Sequence, residues 1–377
     1  MEEAAYIYSD ELSSFEYGDD HPFKPIRARN TMELCTRYGL LTDSDIVGVD
    51  PAHATPETLS VFHAREYLDI LEEVDRGVYR LDMLERGIGT DDCPVVPGIR
   101  GFCLLAVGAT MTGMDLVMKG RARRAFNPVG GFHHGGRDHA EGFCYVNDVA
   151  VAITHAIAKG SRIAFVDIDA HHANGVQDAF YEDDRALVIS LHETGDSLYP
   201  GTGRETEIGS GRGTGYTVNV PLLERTDDEV YTSVFGRVVP PLIRAFHPDL
   251  VVAEIGADTM ISDPLTHLRL TTNGYNEVIK SLCALSPRMV AVGGGGYDIY
   301  RSARCWALAW AAMTGREPVD QYAGLVGGMM YGAEMDGLND RPMPTTGEAK
   351  ERAMAHADRV ASYIEETVFP LLGAQKP

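Results

Sequence analysis

The chain is short of positive charge: 33 Lys and Arg stand against 55 Asp and Glu in 377 residues, a formal net charge of −22. Such a surface repels nucleic-acid backbones and anionic lipid, so neither nucleic acid nor membrane is an expected partner. Thiols are few and scattered. Cys35, Cys93, Cys103, Cys144, Cys283 and Cys305 include no Cys-x-x-Cys pair, which argues against a disulfide framework and fits reduced thiols in a cytosolic protein. No run of about 18 apolar residues occurs, so no membrane-spanning helix is expected. The opening Met1-Glu2-Glu3-Ala4-Ala5 has neither a basic nor an apolar leader segment and does not read as a signal peptide. The expected location is therefore the cytoplasm. Internal repeats and low-complexity linkers are also missing, which favours one domain over residues 1–377, with a core at about 18–315 and a helical end at about 346–377.

What is present is a globular composition, 44% apolar with 40 Gly and 19 Pro. Short β-branched runs bounded by Gly, Pro or Asp read as buried parallel strands at Arg162–Ile168, Ala186–Leu191, Asp249–Ile255 and Arg288–Val292. Arg124–Asn127 and Tyr216–Pro221 read as further strands. Helical patterns fall between them at Pro56–Asp75, Gly101–Lys119, Asn147–Lys159, Asp227–Ala245, Thr272–Leu285 and Ile299–Thr314. The alternation predicts an α/β fold, a parallel sheet sandwiched by helices. In such sheets ligands bind outside the carboxyl ends of the strands.

Polar residues collect at that edge. Asp169 and His171 follow the strand ending at Ile168. Taken alone, the pair is as well explained by a buried salt bridge as by a metal. Gly256-Ala257-Asp258 follows a second strand, Gly130-Gly131-Phe132-His133-His134 a third and Gly293-Gly294-Gly295-Gly296-Tyr297 a fourth. Asp258 turns the pair into three ligands with a fourth position open, the catalytic rather than the structural pattern for a divalent metal such as zinc. A metal so held polarises a carbonyl and acidifies water. His133 and His134 supply acid–base groups, and Tyr297 supplies a donor for a developing oxyanion. These parts suit hydrolysis of an amide.

The motifs GGFHH, GFCYVND, DIDAHHANGV, PGTG, GADTMISDPL and GGGGY, in this order, together with Arg27 and Ala303-Arg304-Cys305-Trp306, resemble the histone deacetylase superfamily. The likeness is greatest to its bacterial acetoin-utilisation-type members. The resemblance implies an arginase-like α/β fold and hydrolysis of Nε-acyl-lysine at one zinc or ferrous ion held by Asp169, His171 and Asp258. It implies His134 as general base and then acid, and His133, held by Asp167, as electrostatic support. Tyr297 would clamp the acyl carbonyl, while Phe143 and Tyr199 wall a channel for the lysine stem. Gly142 would offer its carbonyl to the substrate amide, with Gly295 and Leu265 also in the substrate site and Asp92 at its rim. Arg27 would line a cavity through which the released acyl group leaves. Potassium would bind around Asp167, Asp169, His171, Ser190 and Leu191.

Three positions depart from common patterns in that family. Asn174 stands where class I members have aspartate, which implies a lower working pKa for His134. Tyr199 replaces a common Phe, which bears on acyl-chain preference. Leu265 occupies the place of an acidic gatekeeper in polyamine-deacetylating relatives. A two-manganese ureohydrolase of similar fold would need carboxylates near Ala173 and Met260, where neither residue can ligate. A non-catalytic acyl-lysine binder would be expected to have lost Tyr297 or a metal ligand. A hydrolase of small N-acyl amines such as acylpolyamines is the alternative within the same superfamily.

Overall fold

The structure is a computed structural model and describes residues 2–41, 45–49, 51–318 and 337–376. Among these residues eight strands form one sheet: β1 Glu2–Ile7, β2 Ile46–Val49, β3 Ala122–Asn127, β4 Ile163–Asp167, β5 Ala186–Glu193, β6 Thr217–Leu222, β7 Leu250–Glu254 and β8 Met289–Val292. Their order is β2-β1-β3-β8-β7-β4-β5-β6, and every pairing is parallel. The α-helices before β4 are α1 Asp10–Ser14, α2 Ile26–Arg37, α3 Pro56–Leu59, α4 Arg65–Asp75, α5 Ile99–Met118 and α6 Asp148–Ala158. Beyond it come α7 Asn174–Phe180, α8 Asp228–Phe246, α9 Thr272–Leu285, α10 Ile299–Thr314, α11 Glu348–Thr367 and the short α12 Phe369–Leu372.

Strand side chains alternate between two cores. On β4, Ala164 and Val166 face a cluster built with α2 and α8 to α12. Ile163 and Phe165 face the opposite cluster, built with α1 and α3 to α7. Burial on both faces is why these strands read as continuous apolar runs. The 20-residue α5 is apolar enough to cross a membrane by length and composition, but Phe102, Leu105, Ala106, Ala109 and Val117 are buried against the sheet and its neighbours.

The chain order positions the site. From β4 the chain proceeds to β5 on one side, whereas from β7 it proceeds to β8 on the other. Adjacent strands β4 and β7 therefore form the topological switch point, where a crevice opens at the carboxyl edge. The segments leaving these two strands carry Asp169, His171 and Asp258.

Two differences from the sequence reading are local. The helix expected over Pro56–Asp75 is broken between α3 and α4, because His63 turns inward and accepts the Asn147 amide at Nε2 (3.0 Å) while the Ala64 amide donates to the Arg137 carbonyl. Strands β1 and β2 and helix α2 were not expected. The end of the chain is helical from Glu348, close to the expected start, and docks on α8 through Arg237 to Glu365 (2.9 Å) and Lys350 to Asp227 (2.5 Å).

Candidate active site

Asp169, His171 and Asp258 converge as the sequence suggested. His171 Nδ1 lies 3.1 Å from Asp169 Oδ1 and 2.8 Å from Asp258 Oδ2, and the three ligand atoms fall within 4.8 Å of one another. Backbone amides fix both carboxylates: Gly295 donates to Asp169 Oδ2 (2.5 Å), His171 to Asp169 Oδ1 (2.9 Å) and Ala170 to Asp258 Oδ1 (2.8 Å). A side chain at Gly295 would not fit, since its Cβ would stand 2.2 Å from Asp258 Oδ2. Burial, and then the Asp169 charge, push the Asp258 carboxyl up to about 7. Burial works against Asp169 as well, but His133 and His171 outweigh it and hold that carboxyl below the usual range. Two buried carboxylates and one imidazole at this spacing fit a divalent cation, which relieves their repulsion and matches the donor chemistry.

The tandem histidines come from the loop after β3. Helix α6 grips that loop at its start. The Asp148 carboxylate accepts the Gly131 and Phe132 amides (3.2 and 2.8 Å), and the Asn147 side chain donates to the His133 and Gly135 carbonyls. Both rings are buried, with their Nε2 atoms 3.1 Å apart. His134 Nδ1 meets Asn174 Oδ1 at 2.6 Å; with the amide oxygen accepting, the Nδ1 proton is fixed and Nε2 is left as the basic atom. Burial lowers the His134 pKa, and His133 and His171 lower it further.

Asn174 counters that lowering only as a neutral acceptor, so Asn174→Asp is expected to raise the His134 pKa. A general base works when neutral. The acidic limb of the kcat/KM profile should therefore move to higher pH in the variant, and an unmoved limb would contradict this account of His134.

The expected partnership of Asp167 and His133 takes a different form. His133 Nδ1 is 3.8 Å from Asp167 Oδ2 but 3.0 Å from Glu254 Oε1. Asp167 accepts the Asp169 amide (2.9 Å) and the Ser190 hydroxyl (2.7 Å) instead. Paired β4 and β5 thus bring Asp167 and Ser190 together beneath the site, and the Leu191 carbonyl beside them accepts the Tyr231 hydroxyl (3.5 Å). His172 bonds Thr202 and Gln177, and His192 bonds Ser190 and the Gly203 carbonyl. Both are held within the framework.

Tyr297 stands across from the histidines, its ring 6.1 Å from that of His171 and 5.8 Å from that of Phe143. Asp263, which the sequence reading passed over, fixes its backbone: Oδ2 accepts the Tyr297 amide (2.7 Å) and Oδ1 the Leu265 amide (2.9 Å). Arg27 is buried and donates to the Gly296 and Gly294 carbonyls (2.7 and 2.5 Å), clamping the glycine loop that presents Tyr297. Burial, followed by the Asp258 and Asp169 charges, raises the Tyr297 pKa, so the phenol stays protonated.

Phe143 and Tyr199 flank this space. Phe143 has φ +69°, a conformation costly for an aromatic residue, and the Tyr17 hydroxyl holds its carbonyl (3.2 Å). At Gly142 a Cβ would lie 2.4 Å from His134 Cδ2, and the Gly142 carbonyl accepts the Cys144 thiol (3.2 Å). The Tyr199 ring lies 5.3 Å from that of His134. Its hydroxyl donates to Glu141 Oε1 (2.7 Å). Asp92 is exposed, and its carbonyl meets His21 Nε2 (3.1 Å), whose ring packs 4.7 Å from Phe143.

Residues 21–313 match the Histone deacetylase domain family. The chain belongs to that family. This deacetylase-family chain is 39% identical over 326 residues to the acetoin utilization protein AcuC of Bacillus subtilis, covering 84% of each. It is 35% identical over 309 residues to human histone deacetylase 1, covering 81% of the chain and 63% of that protein. Its fold superposes on the crystal structure of an HDAC homolog complexed with SAHA with a TM-score of 0.83 at 29% identity, over 95% of this chain and all of that one. An HDAC homolog from Aquifex aeolicus gives a TM-score of 0.81 at 28% identity, over 94% and 99% of the two chains. The deacetylase-family fold expected from the sequence is thus observed, and the chain is a hydrolase of that family.

Proposed function

We propose that this chain removes acyl groups, acetyl by default, from Nε-acyl-lysine in proteins. The convergence of Asp169, His171 and Asp258 with the His133–His134 pair and Tyr297 at the β4/β7 switch point carries the reading. A zinc or ferrous ion held by Asp169, His171 and Asp258 supplies polarisation of the scissile carbonyl and acidification of the attacking water. The chain's own groups do the rest. His134 takes a proton at Nε2 during attack and returns it to the departing lysine amine, and His133 beside it stabilises the charge that forms. Tyr297 donates its hydroxyl proton in a hydrogen bond to the developing oxyanion.

Phe143 and Tyr199 wall the lysine stem, Gly142 accepts the substrate amide N–H at its carbonyl, and Asp92 engages the substrate backbone. Gly295 and Leu265 border the reacting end, with Leu265 offering no charge to a polyamine. Arg27 borders the exit of the acyl product. Asp167, Asp169, His171, Ser190 and Leu191 hold potassium beneath the site.

A panel of lysine peptides bearing acetyl through longer acyl groups, assayed with protein reconstituted with zinc or ferrous iron, tests the reading. Release of acyl groups from lysine peptides is expected. Failure on every peptide overturns it, and faster turnover of N-acetylated polyamines moves the substrate to small amines.

A further inference from the structure

In β7, a strand otherwise apolar, Glu254 is fully buried. The sheet register sets it directly beside Asp167 of β4, so two neighbouring strands raise two carboxylates beneath His133. Their engagements differ. Asp167 already accepts one hydrogen bond at each oxygen. Neither oxygen of Glu254 has a hydrogen-bond partner, and neither does His133 Nδ1. The closest of these unpartnered atoms, Glu254 Oε1 and His133 Nδ1, are 3.0 Å apart. That is an ion-pair distance whose alignment falls short of a formed hydrogen bond. A small rotation of either group closes it, and buried polar atoms in native interiors are paired with few exceptions.

We propose that Glu254 is the positioning carboxylate of His133, accepting its Nδ1–H at Oε1. This rests on the reading of His133 and His134 as the acid–base pair. The partner at one ring nitrogen sets the tautomer and orientation of an imidazole. With Nδ1–H committed to Glu254, His133 turns its Nε2 lone pair toward His134 Nε2 (3.1 Å), ready to accept a hydrogen bond from that atom once His134 has taken up its proton, and the ring cannot turn away from the reacting centre. Asp167 is left to organise the backbone at Asp169 and the Ser190 hydroxyl, the group beneath the metal ligands. The two carboxylates thus divide what one was expected to do.

The test compares wild type, Glu254→Gln and Asp167→Asn by histidine-ring NMR on metal-loaded protein, with the His133 Nδ1–H resonance assigned by its loss in His133→Asn. A proton bound to a carboxylate resonates far downfield. In Glu254→Gln that resonance is expected to move upfield, while in Asp167→Asn it remains in place. Alongside, kcat in Glu254→Gln should fall about 10- to 100-fold with KM within about twofold, and the melting temperature should not fall. A merely structural role would lower stability along with activity. Should Glu254→Gln fail to fold, Glu254→Met is read in the same way. A resonance that survives at Glu254 variants and disappears in Asp167→Asn overturns the proposal. The spectra need no substrate, so they remain decisive even if the peptide panel refutes lysine deacylation.

Discussion

Tyr297→Phe is expected to lower kcat on an acetyl-lysine peptide by about 100- to 1,000-fold, the usual effect of removing one oxyanion donor. KM, metal content and melting temperature should stay near those of the parent. The ring contacts with Phe143 and His171 survive in phenylalanine. The backbone is held independently of the hydroxyl, by Asp263 at the Tyr297 amide and by Arg27 at the carbonyls of Gly294 and Gly296. Only the O–H is removed. Because burial and nearby carboxylates keep the phenol protonated, the deficit should be equal across the working pH range rather than grow at high pH. Steady-state kinetics at several pH values measure this. A variant with near-wild-type kcat would remove Tyr297 from the reaction.

The elements that the sequence made plain are those whose signals are local. Helices α9 and α10 begin and end where the pattern placed them, at Thr272–Leu285 and Ile299–Thr314. Thr271 and Asp298 cap their first amides, and Gly315 closes α10 in the left-handed conformation. Strands β4, β7 and β8 were legible because parallel strands covered on both faces are uniformly apolar, and the candidate ligands follow β4 and β7 directly. Strand β1 was not, since it opens with Glu2 and Glu3 and its pairing with β2 and β3 spans distant segments.

Glu254 and Asp263 were missed for a related reason. Each acts on a residue from another strand end, and only the fold of the loops that leave β3 and β8 brings the partners together. A lone acid inside an apolar strand was the signal available for Glu254. For Asn147 and Asp148 the signal was a capping pair at the start of a readable helix; what they hold, the histidine loop, became visible only in three dimensions.

Asp258→Asn should abolish metal binding and activity together. The substitution is nearly isosteric, and the amide oxygen can still accept the Ala170 amide that Asp258 Oδ1 accepts at 2.8 Å, so the loop should keep its course. What disappears is the charge of one of three ligands. Loss of several kcal/mol of transition-state stabilisation corresponds to about a thousandfold or more in kcat/KM, and metal content per chain should fall in parallel.

The same substitution has an opposite effect on the stripped protein. Without a cation, burial beside Asp169 raises Asp258 to about 7, above its unfolded value near 4. The folded state then binds the extra proton. Stability from this group is full below the unfolded value and is lost as pH rises through about 7. Asparagine carries no such proton, so chelator-treated Asp258→Asn should gain thermal stability over chelator-treated wild type as pH increases from 5 to 8, by about the same trend that metal loading produces in the wild type. Melting temperatures of the two stripped proteins across that range decide the matter: a constant difference would mean that Asp258 is not strained by its neighbours, and that its place beside Asp169 and His171 is not what draws the cation.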